Sequence, residues 1–73
     1  MEIEDIEIKG DFIELNKLLK FSALVSTGGE ASEAIKSSMV KVDNLVETAK
    51  RKKIRVGQLV SYMDETIRVT NTK

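Results

Sequence analysis

The chain has no cysteine and no histidine, and only three aromatic residues, Phe12, Phe21 and Tyr62. Without Cys or His there is no disulfide framework and no Cys- or His-ligated zinc. There is also no imidazole for acid–base work near neutral pH and no thiol nucleophile. The carboxylates gather mostly in residues 1–14 and follow no metal-ligand motif. Thr27-Gly28-Gly29 is too short for a P-loop, which needs a longer glycine-framed loop ending in Gly-Lys-Ser/Thr. The expected activity is binding without catalysis, with no cofactor. So few aromatics argue against a single-strand reader that stacks successive bases; Phe12 and Phe21 read as core residues. No apolar run approaches the roughly 20 residues of a membrane span, so no membrane partner is expected. The acidic start MEIEDIEIKG lacks the cationic region of a signal peptide. Cytoplasmic residence is the simplest expectation for a chain without cysteine.

What the chain does have is charge, and unevenly placed. Twelve Lys+Arg balance twelve Asp+Glu. Yet residues 1–14 hold Glu2, Glu4, Asp5, Glu7, Asp11 and Glu14 against Lys9 alone. Residues 15–63 hold nine Lys+Arg against Glu30, Glu33, Asp43 and Glu47. Five cations fall within six positions: Lys50, Arg51, Lys52, Lys53 and Arg55. A run this dense suits a polyanion, because counterion release from phosphates drives such binding. It would also serve as a solubilising loop. In an extended segment Arg51, Lys53 and Arg55 would share one face and Lys50 and Lys52 the other.

Seventy-three residues make one domain, 1–73, with a small core; a chain of this size buries about 60% of its unfolded surface. Residues 3–8 alternate around Ile6 and Ile8 and predict a short strand ended by Gly10. Asp11 with Glu14 predicts a capping box opening a first helix over 12–21, with Leu15, Leu18 and Leu19 at helical spacing. Lys20 sits in its last turn, where the helix dipole favours a cation. Thr27 with Glu30 predicts a second capping box and a helix from 28 or 29 to 37 or 38, with Ala31, Ala34 and Ile35 as its narrow apolar face. Val40 and Val42 alternate before a tight turn at Asp43-Asn44, and Val46 follows. Ile54 and Val56 are the expected inward residues of the basic stretch. Residues 59–62 and 66–69 read as two strands joined around Asp64-Glu65. The class is α+β, two short packed helices on a small antiparallel sheet.

LNKLLKFSALVSTGGEASEAI followed by VKVDNLVETAKRKKIRVGQLVSY resembles the alpha-L, or S-four-type, RNA-binding domain. The resemblance is closest to the small stand-alone bacterial YbcJ-like group and covers about residues 11–70. It rests on Leu18-Leu19-Lys20, Thr27-Gly28-Gly29, Ala31 to Ile35, Val40 to Asp43, Glu47, Lys50 to Ile54 and Gly57 to Val60, in that order and spacing. Asn44 stands where the pattern has Gly, and Ala49 where a basic residue is common. The resemblance implies an alpha-L motif that binds structured RNA, ribosomal or transfer RNA by family analogy, and hence association with the ribosome. It implies an RNA-facing surface made of Lys50, Arg51, Lys52, Lys53 and Arg55, the helix start at Thr27, Gly28 and Gly29, and Lys20. Lys17, Lys36 and Lys41 would extend it. From chemistry alone, Thr27-Gly28-Gly29 reads equally as ordinary helix capping. The rival expectation is an adaptor whose basic loop meets an acidic protein.

Overall fold

The computed structural model describes residues 3–71. Its elements are β1 (Ile3–Ile8), β2 (Phe12–Glu14), α1 (Leu15–Phe21), α2 (Gly28–Lys36), β3 (Val40–Val42), β4 (Leu45–Val46), β5 (Lys53–Arg55), β6 (Leu59–Tyr62) and β7 (Glu65–Asn71). Five strands form one sheet in the order β1-β7-β6-β3-β4, and β2 and β5 form a separate two-stranded ribbon. The α+β class holds, but the main sheet is mixed rather than wholly antiparallel. β1 runs parallel to β7, in register from Ile3 opposite Thr66 to Ile8 opposite Asn71. Antiparallel strands can be joined by a tight turn, whereas a parallel pair needs a crossover. Here nearly the whole chain lies between the two partners.

The short hairpins follow local chemistry. Asp43 and Asn44 both have positive φ, 52° and 70°. That is the two-residue geometry in which Asn and Asp are tolerated and which matches strand twist. Val40 and Val42 point into the core while Lys41 points out.

The second helix is capped as its sequence predicts. Thr27 Oγ1 accepts from the Glu30 N–H at 3.1 Å, and Glu30 Oε1 accepts from the Ser26 N–H at 3.0 Å. Ala31, Ala34 and Ile35 are its buried residues. Both helices end in Schellman turns. Ala23 and Leu24 donate to Lys20 and Leu19, and Ser38 and Met39 donate to Ile35 and Ala34. The left-handed positions are Ala23 and Ser38, where glycine is usual.

The first helix differs from expectation. Residues 12–14 are extended and pair with β5: Phe12 opposite Arg55, Ile13 opposite Ile54, Glu14 opposite Lys53. The helix begins at Leu15, and its N-cap residue Glu14 makes no side-chain cap. Asp11 is exposed in a bend. Two backbone carbonyls do the capping instead. Leu15 N–H donates to Lys52 O at 2.9 Å and Asn16 N–H to Lys50 O at 3.0 Å. The basic segment thus satisfies two of the four donors that a helix start leaves open.

Ile8, Leu15, Leu18, Leu19, Val25, Ala31, Ala34, Ile35, Val40, Val42, Ile54, Val60, Ile67 and Val69 form one buried cluster. Phe12 and Phe21 do not belong to it; they are 41% and 62% exposed. Strand alternation explains Phe12, because Ile13 takes the inward position beside Ile54. Val56 is also exposed, contrary to expectation, because β5 stops at Arg55 and the chain turns at Val56-Gly57.

Candidate nucleic-acid interface

The basic run is held by its backbone and offers its side chains to solvent. Lys52 N–H donates to Ala49 O at 3.1 Å, closing a tight turn over 49–52. Glu47 Oε2 accepts from the Ala49 N–H at 3.1 Å and fixes the approach to that turn. The carbonyls of Lys50 and Lys52 then meet the start of α1, and β5 pairs with β2. Within β5, Ile54 is fully buried while Lys53 and Arg55 point outward. Beyond it, Arg55 N–H donates to Gln58 Oε1 at 2.8 Å. Gln58 in turn donates through Nε2 to Asp43 Oδ2 at 3.0 Å.

Extended alternation therefore applies only to Lys53 and Arg55, which share one face, while Lys50 and Arg51 lie in the turn. All five cations are exposed. Among the described residues none of them forms an ion pair; the pairs present are Lys17–Glu14 and Arg68–Asp5. Five cations without an ion-pair partner, on a backbone hydrogen-bonded to α1 and β2, make a concentrated positive field. Their neighbour across the ribbon is aromatic: Lys53 Nζ lies 5.0 Å from the centroid of the Phe12 ring.

The start of α2 adjoins this run. A groove of about 330 Å³ is lined by Gly29, Ser32, Glu33 and Lys36 of α2 and by Thr48 and Lys50 of the loop. Because Thr27 caps Glu30 and the Thr27 carbonyl takes the Ala31 N–H, the N–H groups of Gly28 and Gly29 have no partner among the described residues. Neither glycine is demanded by the fold. A Cβ at Gly28 would meet nothing within 4 Å, and one at Gly29 only Thr27 Oγ1 at 3.9 Å. What the pair provides is bare backbone facing solvent.

Lys20 is exposed, four residues after Asn16 and so on the same face of α1, one turn beyond the loop. No hydrogen bond or ion pair joins it to the run among the described residues. Lys36 lines the groove, Lys41 is exposed on β3, and Lys17 pairs with Glu14 at 3.7 Å. Sequence reasoning missed Phe12 and Phe21 as surface residues and Thr48 as a groove wall. Pairing of residues 12–14 with the basic strand was the signal for Phe12, and it is not visible locally.

The comparisons agree with this architecture. The family model for the S4 domain matches residues 6–70. The chain belongs to the S4 domain family. This S4 domain is 43% identical over 61 residues to YbcJ of Escherichia coli (strain K12), named as a candidate RNA-binding protein; the match covers 84% of this chain and 87% of that one. YbcJ of Shigella flexneri, whose name assigns no function, matches to the same extent. The solution structure of E. coli YbcJ, described as containing an alpha-L motif involved in RNA binding, superposes with a TM-score of 0.67 at 38% identity. It covers 93% of this S4 domain and 85% of YbcJ. The alpha-L architecture expected from the residues is thus present.

Proposed function

We propose that the chain is a non-catalytic RNA-binding module that holds structured RNA through Lys50, Arg51, Lys52, Lys53 and Arg55. The open N–H groups of Gly28 and Gly29 beside Thr27, together with Lys20, extend that surface. Ribosomal or transfer RNA is the target class that the family resemblance favours, and ribosome association would follow from it. The observation that carries the reading is a run of five exposed, unneutralised cations whose first member, Lys50, lines one groove with Gly29 at the start of α2. Free backbone N–H groups at a helix start bind phosphate oxygens, and glycine lets a phosphate come close. Lys and Arg supply the counterion-release term. The relatives' RNA-binding names and the S4 domain match support the same reading.

The test is a salt titration of binding to folded ribosomal and transfer RNA, with duplex DNA as control. Wild type is compared with a Lys50→Glu/Arg51→Glu/Lys53→Glu variant, all three sites being exposed. Log affinity should fall linearly with log salt, and the variant should lose both affinity and slope. Absence of RNA binding by wild type at roughly 50 mM salt, where phosphate contacts are strong, would overturn the reading and favour an adaptor for an acidic protein.

A further inference from the structure

The two phenylalanines of this chain are both on its surface, and they line the same groove. That groove has a volume of about 410 Å³ and is lined by Glu7, Ile8 and Lys9 of the β1 end, Phe12 and Ile13 of β2, and Phe21 at the end of α1. Its size falls within the roughly 300–1,000 Å³ range of small-ligand sites. Exposed apolar groups brought together in this way mark an interaction site more often than scattered ones do.

The surroundings define what the groove suits. Ile13 and Ile54 face the core, so Phe12, Glu14, Lys53 and Arg55 share the outward face of the β2–β5 ribbon. Arg55 is directly opposite Phe12 in register, and Lys53 Nζ lies 5.0 Å from the Phe12 ring centroid. An apolar protein segment would leave these cations without a counter-charge. A nucleotide satisfies both requirements, with a flat π-surface for the rings and a phosphate for the cations. Lys53 is exposed and unpaired by any carboxylate among the described residues, so it is free to exchange the ring for a phosphate. At the β1 end of the groove Glu7 and Lys9 carry opposite charges, so the uncancelled positive charge beside the rings is that of Lys53 and Arg55.

We propose that the Phe12–Phe21 groove takes one unpaired nucleobase of a structured RNA, stacked against these rings with its phosphates on Lys53 and Arg55. The proposal rests on the RNA-binding reading above and deepens it. The preferred RNA would carry a bulged or looped-out nucleotide beside a paired stem. The stem phosphates would lie along Lys50 to Lys52, and the displaced base would enter the groove. Bases freed from pairing are the ones that proteins stack on aromatic side chains.

The test uses an RNA hairpin with a single-nucleotide bulge carrying 2-aminopurine, beside the same hairpin fully paired. Wild type should bind the bulged RNA about tenfold more tightly, the effect of one aromatic–base stack, and should change the 2-aminopurine emission. Phe12→Leu and Phe21→Leu should bind both RNAs alike, at the affinity of wild type for the paired hairpin. Phe12→Tyr, which keeps the ring, should retain the preference. Both positions are exposed, so unchanged thermal unfolding should accompany the Leu variants. Equal binding of the two RNAs by wild type, or a preference that survives both Leu substitutions, would overturn the base site while leaving phosphate binding in place. Failure of wild type to bind either RNA at low salt would overturn both this proposal and the reading beneath it.

Discussion

Asp43 and Gln58, which lie on different turns, are joined side chain to side chain: Asp43 Oδ2 accepts from Gln58 Nε2 at 3.0 Å. The same carboxylate accepts from the Leu59 N–H through Oδ1 at 3.0 Å. Gln58 uses its other end, Oε1, to hold the Arg55 N–H at 2.8 Å. The β3–β4 turn is thereby tied to the last residue of the basic strand. Val40 to Asp43 and Gly57 to Val60, two of the stretches on which the resemblance rests, are thus joined by one physical link that sets where Arg55 emerges.

That link is pH-dependent. The hydrogen bond from the Leu59 N–H, then that from Gln58, holds the Asp43 carboxyl below its ordinary value against a small opposing effect of burial. A carboxylate with a depressed folded pKa adds stability that is present above the unfolded pKa, near 3.9, and is lost as pH falls through the lower folded value. Wild-type stability should therefore decline below about pH 4, and Asp43→Asn should flatten that part of the curve. At pH 7 the exposed site makes the cost of Asp43→Asn modest, about 0.5 kcal/mol. Denaturant unfolding across pH 2–7 would check both statements; equal pH profiles would count against the link.

Ile54 and Val56 should differ sharply in the cost of truncation although both are β-branched residues flanking Arg55. Ile54 is fully buried between two outward cations, whereas Val56 is 48% exposed. Ile54→Ala should cost about 3 kcal/mol, because the cavity adds to the lost transfer energy. That is a large part of the stability of a domain this size. Val56→Ala should stay within about 0.5 kcal/mol. Chemical denaturation of the two variants gives the comparison directly, and a Val56 cost near that of Ile54 would contradict the turn at 56–57.

Much of this could be read locally, and what could not was non-local. The Thr27–Glu30 box, the small apolar face of α2 and the Asp43-Asn44 turn depend on residues within one turn of each other. The three-residue strand at Phe12 depends on Arg55, far along the chain. Without that partner, Asp11 followed by Glu14 and a leucine stripe is an ordinary helix-start pattern. The exposure of Phe12 and the carbonyl capping of α1 follow from the same pairing and were hidden with it. The helix ends were read to within about two residues, at 21 and at 37 or 38, although Ala23 and Ser38 occupy the left-handed positions where glycine is usual. The parallel β1–β7 pairing joins opposite ends of the chain and has no local signature. At the site, charge density showed the cations; the sequence could not show that their backbone is clamped to α1.

The acidic strand should act against RNA at long range. Glu4 and Glu7 are exposed on β1, at the sheet edge opposite β4, and the acidic run at this end also includes Glu2, which lies outside the described residues. Glu4→Gln/Glu7→Gln should strengthen binding to a fully paired RNA about twofold to threefold at low salt. The gain should vanish near 1 M salt, where the screening length falls to about 3 Å. A gain that persisted at high salt would mean a direct contact rather than a field effect.

Gly28 and Gly29 offer the sharpest separation of folding from binding. Neither has a positive φ, and an added Cβ would meet open space at one and ordinary contact at the other. Both lie in α2, where Gly costs more chain entropy than Ala. Each Gly→Ala change should therefore stabilise the fold by about 0.4–1 kcal/mol, raising Tm by a few degrees. If phosphate approaches the open N–H groups, the same methyl groups stand in its path, and RNA affinity should fall several-fold. Thermal unfolding and RNA titration on the same two variants decide the matter. Higher Tm with weaker binding places the helix start in the interface. Higher Tm with unchanged binding removes it and leaves the Lys50–Arg55 run to bind alone.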